Sequence, residues 1–433
     1  MTAGPVRAQA VDFYRVVGVI LIVLGHWIAG SVTYRDGTFG RQNPLLDQPW
    51  TQWLTWLFQA VPMFFLVAGY AGAVSWGNRR IGDEMTRQVW VRHRLSRVLG
   101  PSAVYVAVVS VSVVAFHAAG TAASLLEYAG WAVAMHLWFL AVYLVVVSLT
   151  PIAIAAQHRW GLRAPAALAL GVVAADIAAL AAHLPYVNLV NYLLSWGLLY
   201  QLGIAWQSGL LAGPRAVALA IGSAGALWLL IWLGPYPVSM IGVPGQAVQN
   251  TEPPSVAMVA FGCAQAGLVI AAAPVVERAL RGAAVRRVLA RANANVMALY
   301  LWHMIPVVIV AVIAYPAGWL AQPEQGGVAW WLGRLEWVAV LSVVTAAELA
   351  LLWWGRRVFA APLPGAAVLA RRWAEPAMVA GVVLASYGFS ALAAAGFAPS
   401  GRFPGLTSAI FAAGVLLVAL RSRAPAAATS LRH

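Results

Sequence analysis

Charge is what this sequence is short of. Only 9% of its 433 residues are charged, against roughly 25% in soluble domains. There is no lysine; all 27 basic residues are arginine, set against 13 acids, for a net charge of +14. Cysteine occurs once, as Cys263, which excludes an internal disulfide and a multi-cysteine zinc site. The chain also lacks a Gly-rich phosphate loop, a His-Glu-x-x-His pair and a Gly-x-Ser-x-Gly elbow. These absences remove the common soluble nucleotide-binding, zinc-hydrolase and serine-hydrolase readings, and no metal site is expected.

In place of charge there is apolar length. The chain is 62% hydrophobic with a mean hydropathy of +0.80. Runs of helix-spanning length recur at about 11–31, 53–76, 98–117, 131–156, 164–183, 189–209, 216–234, 255–275, 295–315, 335–355, 376–396 and 405–420. Backbone groups need internal partners in lipid, so runs this long are helices. The expected fold is all-α, a polytopic transmembrane bundle with no room for a large soluble domain. Asp12 and Arg15 interrupt what would be a signal-peptide core, so the first run is expected to stay as an uncleaved helix.

The arginines set the topology. With the N-terminus inside, 22 of the 27 fall in inside segments, four (Arg35, Arg41, Arg334 and Arg402) fall outside, and Arg15 lies in the first span. Positive charge accumulates on the cytoplasmic side of membrane proteins. The bias therefore predicts both termini in the cytoplasm, and it explains +14 through topology and anionic lipid rather than nucleic acid.

A few polar residues remain inside the apolar runs, where they are costly and face the bundle or a wet cavity. Arg15 and His26 are eleven positions apart, which puts them on one helix face about 16 Å apart along the axis. Asp12 can pair with Arg15. Pro62, about ten residues from the outer end of the second span, is expected to kink it and free a carbonyl. Ala68, Gly69 and Gly72 permit close helix approach. Arg94 and Arg97, at the end of an inner loop 77–97, share a face and suit phosphate oxygens. Glu127 precedes the fourth span, and His136 lies about 8 Å into it. His303, in the ninth span, is predicted at the depth of His26 and of Pro62, which points to a shared site. Asp176 and Glu348 are further intramembrane acids, either counter-charges to Arg15 or bundle pairs. The Pro/Gly-rich outer loop 235–254 either connects two spans or covers an acceptor site.

Five motifs occur in order: Asp12…Arg15 with ten residues to His26; Pro62-Met63-Phe64-Phe65-Leu66…Gly69-Tyr70; Arg94-x-x-Arg97 with Pro101; His136-Leu137-Trp138-Phe139-Leu140; and Tyr300-Leu301-Trp302-His303 with Pro306. Together they resemble the acyltransferase family 3 membrane enzymes. Ala68-Gly69-Tyr70 stands where the family usually has Ser-Gly-Phe, and the acid common after the Trp138 motif is absent. The resemblance implies a ten-helix acyltransferase domain over 1–355; the run count adds two further helices over 356–421, and the Ala-rich end is expected to be a disordered tail over 422–433. It implies transfer of an acyl group, acetyl foremost, from cytoplasmic acyl-CoA as co-substrate to a hydroxyl of a sugar, glycan or glycolipid at the cell envelope, by a multi-pass protein of the inner or plasma membrane in contact with membrane lipid. His26 would be the base or transient acyl carrier, His303 its assistant, and Arg15 a donor contact or charge-fixing residue. Arg94 and Arg97 would bind CoA phosphates; Glu127, His136, Trp138 and Tyr300 would bind the acceptor. Tyr300 and Gln59 are candidate oxyanion donors. A lipid or solute transporter or flippase without acyl transfer is the alternative.

Overall fold

A computed structural model describes residues 8–78 and 87–422. Arg79 and Arg80, counted in the inner charge, and the tail beyond Ser422 lie outside the described residues. Among the described residues, nine helices are long and apolar enough to cross a membrane. A tenth span is the pair Ala283–Trp302 and Ile305–Ala314, bent by 56°. The remaining two expected spans are helices of 17 residues (Asn191–Gln207) and 15 residues (Gly405–Ala419). At about 1.5 Å per residue these fall short of a hydrocarbon core of about 30 Å. The chain is a multi-pass membrane protein.

Several spans depart from the sequence expectation: the ninth begins at Ala283 rather than 295 and the tenth at Val328 rather than 335, and three others differ in ways that move predicted residues. The second is broken rather than kinked: Thr55–Phe58 and Val61–Gly77 are separate helices with Gln59 and Ala60 between them. Pro62 sits in the first turn of the second piece, where its missing N–H is no loss. The proline starts a helix instead of bending one. The third span begins by Arg87 and runs to Ala118, so Arg92 to Arg97 are helical and not a loop end. The fourth begins at Ala123 rather than 131, because an exposed Glu127 is tolerated inside the first helical turns. His136 therefore lies thirteen residues after the start rather than five, past the end of the first helix at Ala132 and in a 3-10 turn at Met135–Leu137.

The chain divides into two compact units, residues 1–79 with 149–355, and residues 80–148 with 356–433. In the first, close backbone approach does the packing. Gly69 faces the Tyr200 carbonyl and Gly203 faces that of Leu66, so neither position has room for a side chain. This fits membrane association, where small residues let helices touch. The same unit carries a β-hairpin the helix count did not anticipate, Ser31–Arg35 paired antiparallel with Thr38–Gln42. Its turn is Asp36-Gly37, both with positive φ, as a two-residue hairpin turn requires. In the second unit the helix Arg371–Ala395 packs on Trp138–Ser148, where Ser386 donates to the Ala141 carbonyl at 3.0 Å, and on Gly405–Ala419, where Phe389 meets Phe411.

Candidate functional site

The site is built on two helices that run parallel in the first unit, Gln9–Ala29 and Ala283–Trp302. They meet at two polar rungs. At the lower rung, Arg15 Nη1 donates to Asp12 Oδ1 at 2.9 Å and to Asn293 Oδ1 at 3.0 Å. The ion pair is of the i, i+3 type on one helix and is partly buried. Arg15 Nε and Nη2 have no hydrogen-bond partner among the described residues. At the same end, Glu277 Oε1 accepts from Ala10 N–H at 2.8 Å, satisfying a donor of the first turn that has no helical partner. Tyr14 donates to the Val269 carbonyl at 2.9 Å.

Eleven residues on, His26 Nδ1 lies 2.8 Å from His303 Nε2, with the rings stacked 5.1 Å apart. His303 Nδ1 lies 2.8 Å from the Tyr300 carbonyl oxygen. A carbonyl only accepts, so His303 carries its proton on Nδ1 and presents a lone pair at Nε2. That lone pair in turn requires the proton of neutral His26 on Nδ1. The relay leaves His26 Nε2 as a basic nitrogen with no hydrogen-bond partner among the described residues. Trp27 Nε1 donates to the His303 carbonyl at 2.9 Å. His303 itself is fully buried. It sits at the bend between the two half-helices because Pro306 has no N–H for the carbonyl four residues back.

Structure thus brings together His26, His303 and Tyr300, and places Arg15 on a separate rung with Asp12 and Asn293, about 16 Å away along the same helix. Asn293 was missed as a site residue, although it stands ten positions before His303 much as Arg15 stands eleven before His26. Two parallel helices with matching polar spacing are the signal that could have found it. Gln59 is already committed: its Nε2 donates to the Met240 carbonyl at 2.7 Å. Asp176 is not a counter-charge to Arg15. It accepts from Asn191 Nδ2, the Tyr236 hydroxyl and Val256 N–H at 2.7–2.9 Å. Burial, then the Asp176 carboxylate, raise the Tyr236 hydroxyl above its ordinary value, so it remains a donor. The loop 235–254 is pinned rather than loose, with Trp56 donating to Val238 O and Met240 N–H donating to Thr55 Oγ1.

The other sequence-predicted residues belong to the second unit. Arg94 and Arg97 lie one turn apart on Arg87–Ala118, Arg94 half-buried over the Trp90 ring at 5.5 Å and Arg97 exposed. Ser96, between them, accepts at its carbonyl from Leu363 N–H at 2.8 Å, and the adjacent Gly100 has no room for a side chain against Ala361. Glu127 is exposed, Trp138 half-buried, and His136 buried against Tyr105 with ring centres 5.9 Å apart.

A family model described as an acyltransferase domain matches residues 9–353. No curated protein and no solved structure matches the chain.

Proposed function

Since the chain belongs to acyltransferase family 3 and is a membrane acyltransferase, we propose that it moves an acyl group, acetyl foremost, from cytoplasmic acyl-CoA to a hydroxyl of a sugar, glycan or glycolipid at the cell envelope, from a place in the inner or plasma membrane. The observation that carries this is the directed histidine pair: the Tyr300 carbonyl fixes His303, His303 fixes His26, and His26 Nε2 faces away as a base.

In the reaction, His26 Nε2 takes the proton of the acceptor hydroxyl as the oxygen attacks the thioester carbonyl. The resulting imidazolium keeps its Nδ1 proton shared with His303. The new C–O bond forms, the C–S bond breaks, and the proton from His26 ends on the CoA thiolate. Arg15, about 16 Å from His26 along the helix and with two nitrogens of its guanidinium uncommitted, offers donors to the phosphate oxygens of the donor. Arg94 and Arg97 hold CoA phosphates. Tyr300 is the first unit's candidate for contacting the acceptor, and Glu127, His136 and Trp138 are those of the second.

The test is purified protein in nanodiscs with labelled acetyl-CoA and an envelope extract. Label should enter a lipid or glycan fraction, and His26→Ala should abolish it. Full activity in that variant removes the mechanism. Movement of a solute without acyl-CoA consumption would establish the transport reading instead.

A further inference from the structure

Arg334 is held in an unusual state for a membrane arginine. It lies two turns into the helix Val328–Trp354 and is only 8% exposed. Trp330 and Trp337 flank its guanidinium at 5.3 and 5.7 Å, and Tyr315, stacked on Trp337, lies near it. Its Nε and Nη1 are buried with no hydrogen-bond partner. No carboxylate lies within ion-pair distance of it among the described residues. Each unmade hydrogen bond of a buried charged donor is expensive, and buried charges are ordinarily paired.

The same side chain lines a cavity of about 20 Å³. Its other walls include Ser31, Arg35, Gln42, Gln322 and Trp330. A void of that size admits a water-sized group. The site is built rather than incidental: Gln322 accepts from Tyr34 N–H at 2.6 Å and donates to Tyr34 O at 3.0 Å, locking the hairpin onto the segment before the helix. Arg35, from the hairpin, is a second arginine on the wall without a carboxylate partner. Both arginines are among the four that stand against the positive-inside bias. Topology therefore does not account for them.

We propose that Arg334 and Arg35 form an oxyanion pocket at the hairpin end of the first unit, and that it receives a phosphoryl or carboxylate oxygen carried by the acyl acceptor. This rests on the reading that an acceptor is acylated from that side, and it narrows the acceptor class to an anionic one. The unpartnered guanidinium N–H groups of Arg334, with Arg35 beside them, suit such oxygens through charge-assisted hydrogen bonds. The flanking tryptophans hold the fork in place while it is empty.

The experiment uses radiolabelled inorganic phosphate as probe, with the full chain in phosphatidylcholine nanodiscs at low salt. Arg334→Gln should weaken phosphate binding about tenfold or more, as loss of a charge-assisted pair does. Arg35→Gln, an exposed change on the hairpin, should weaken it several-fold and guards against misfolding of the buried variant. Arg402→Gln should bind as the wild type does. Equal binding by wild type and the Arg35→Gln/Arg334→Gln double variant overturns the pocket. Competition by phosphatidylglycerol in the disc, lost in Arg334→Gln, assigns the group to a lipid headgroup and overturns its assignment to the acceptor. Acyl transfer is measured on the same wild-type preparation. If transfer is absent while Arg334-dependent phosphate binding persists, the proposed function fails and the pocket does not.

Discussion

Two arginines in one unit are treated in opposite ways. Arg15 is partnered by Asp12 and Asn293 and forms the lower rung of a ladder whose upper rung is His26 and His303. Arg334, near the hairpin, is more deeply buried, yet two of its donors have no partner and its neighbours are tryptophan rings. A cation anchored to a carboxylate and an amide fixes geometry, which is what a general base needs. An unsatisfied buried cation holds interaction free energy in reserve for something that arrives. The difference separates a region built to position from a region built to receive.

The comparison is most open to being broken at the upper rung. His26→Ala should lower the acyl-transfer rate about 10²–10⁴-fold, the usual weight of a general base. His303→Ala removes only the group that sets the His26 tautomer. It should lower kcat about 10- to 100-fold, with KM for acyl-CoA little changed and a displaced pH profile; an unchanged kcat would mean the stacked pair positions nothing. Outside the ladder, Arg94→Gln and Arg97→Gln should each raise KM for acyl-CoA about tenfold with kcat nearly kept, as expected of phosphate contacts. Thermal unfolding in detergent then sharpens the contrast between the arginines. Arg15→Met removes the cation paired with Asp12 and should destabilise by about 1–3 kcal/mol, and adding Asp12→Asn should recover part of that. Arg334→Met fills the same volume without an unpaired charge and should leave stability within about 1 kcal/mol or raise it. A large destabilisation by Arg334→Met would show that the tryptophans and Tyr315 are sufficient partners.

Much of the ladder was legible before any coordinates. Arg15 and His26 share a face because helix geometry is local, and the apolar periods that place them are strong. His303 could be matched in depth to His26 through the arginine count. The contact at 2.8 Å and the direction of its proton could not be read this way, because they depend on the register between helices some 277 residues apart in sequence. Asn293 was passed over for that reason; an asparagine near a span entrance has many ordinary uses. Span ends were the weakest reading. Hydropathy puts a boundary after Glu127, which lies within the helix, and a loop at the arginines of 92–97, which are helical. Hydropathy registers a charge wherever it occurs, whereas a helix tolerates one that reaches water. The hairpin had a local signal, Asp36-Gly37 between alternating residues, that the search for long spans overlooked.

By itself the sequence determined that the chain crosses a membrane many times, which polar residues its apolar runs contain, and which family it resembles. Those follow from composition, from periodicity within single helices and from short motifs. Tertiary structure decided which polar groups satisfy one another. It paired Arg15 with Asn293, ordered the protons of His303 and His26, committed Gln59 and Asp176 to holding the 235–254 loop, and left Arg334 without an acid. The physical reason is that hydrogen bonds and ion pairs are short-ranged and directional. A residue's identity says what it can donate or accept, and only the packing of distant helices says to whom.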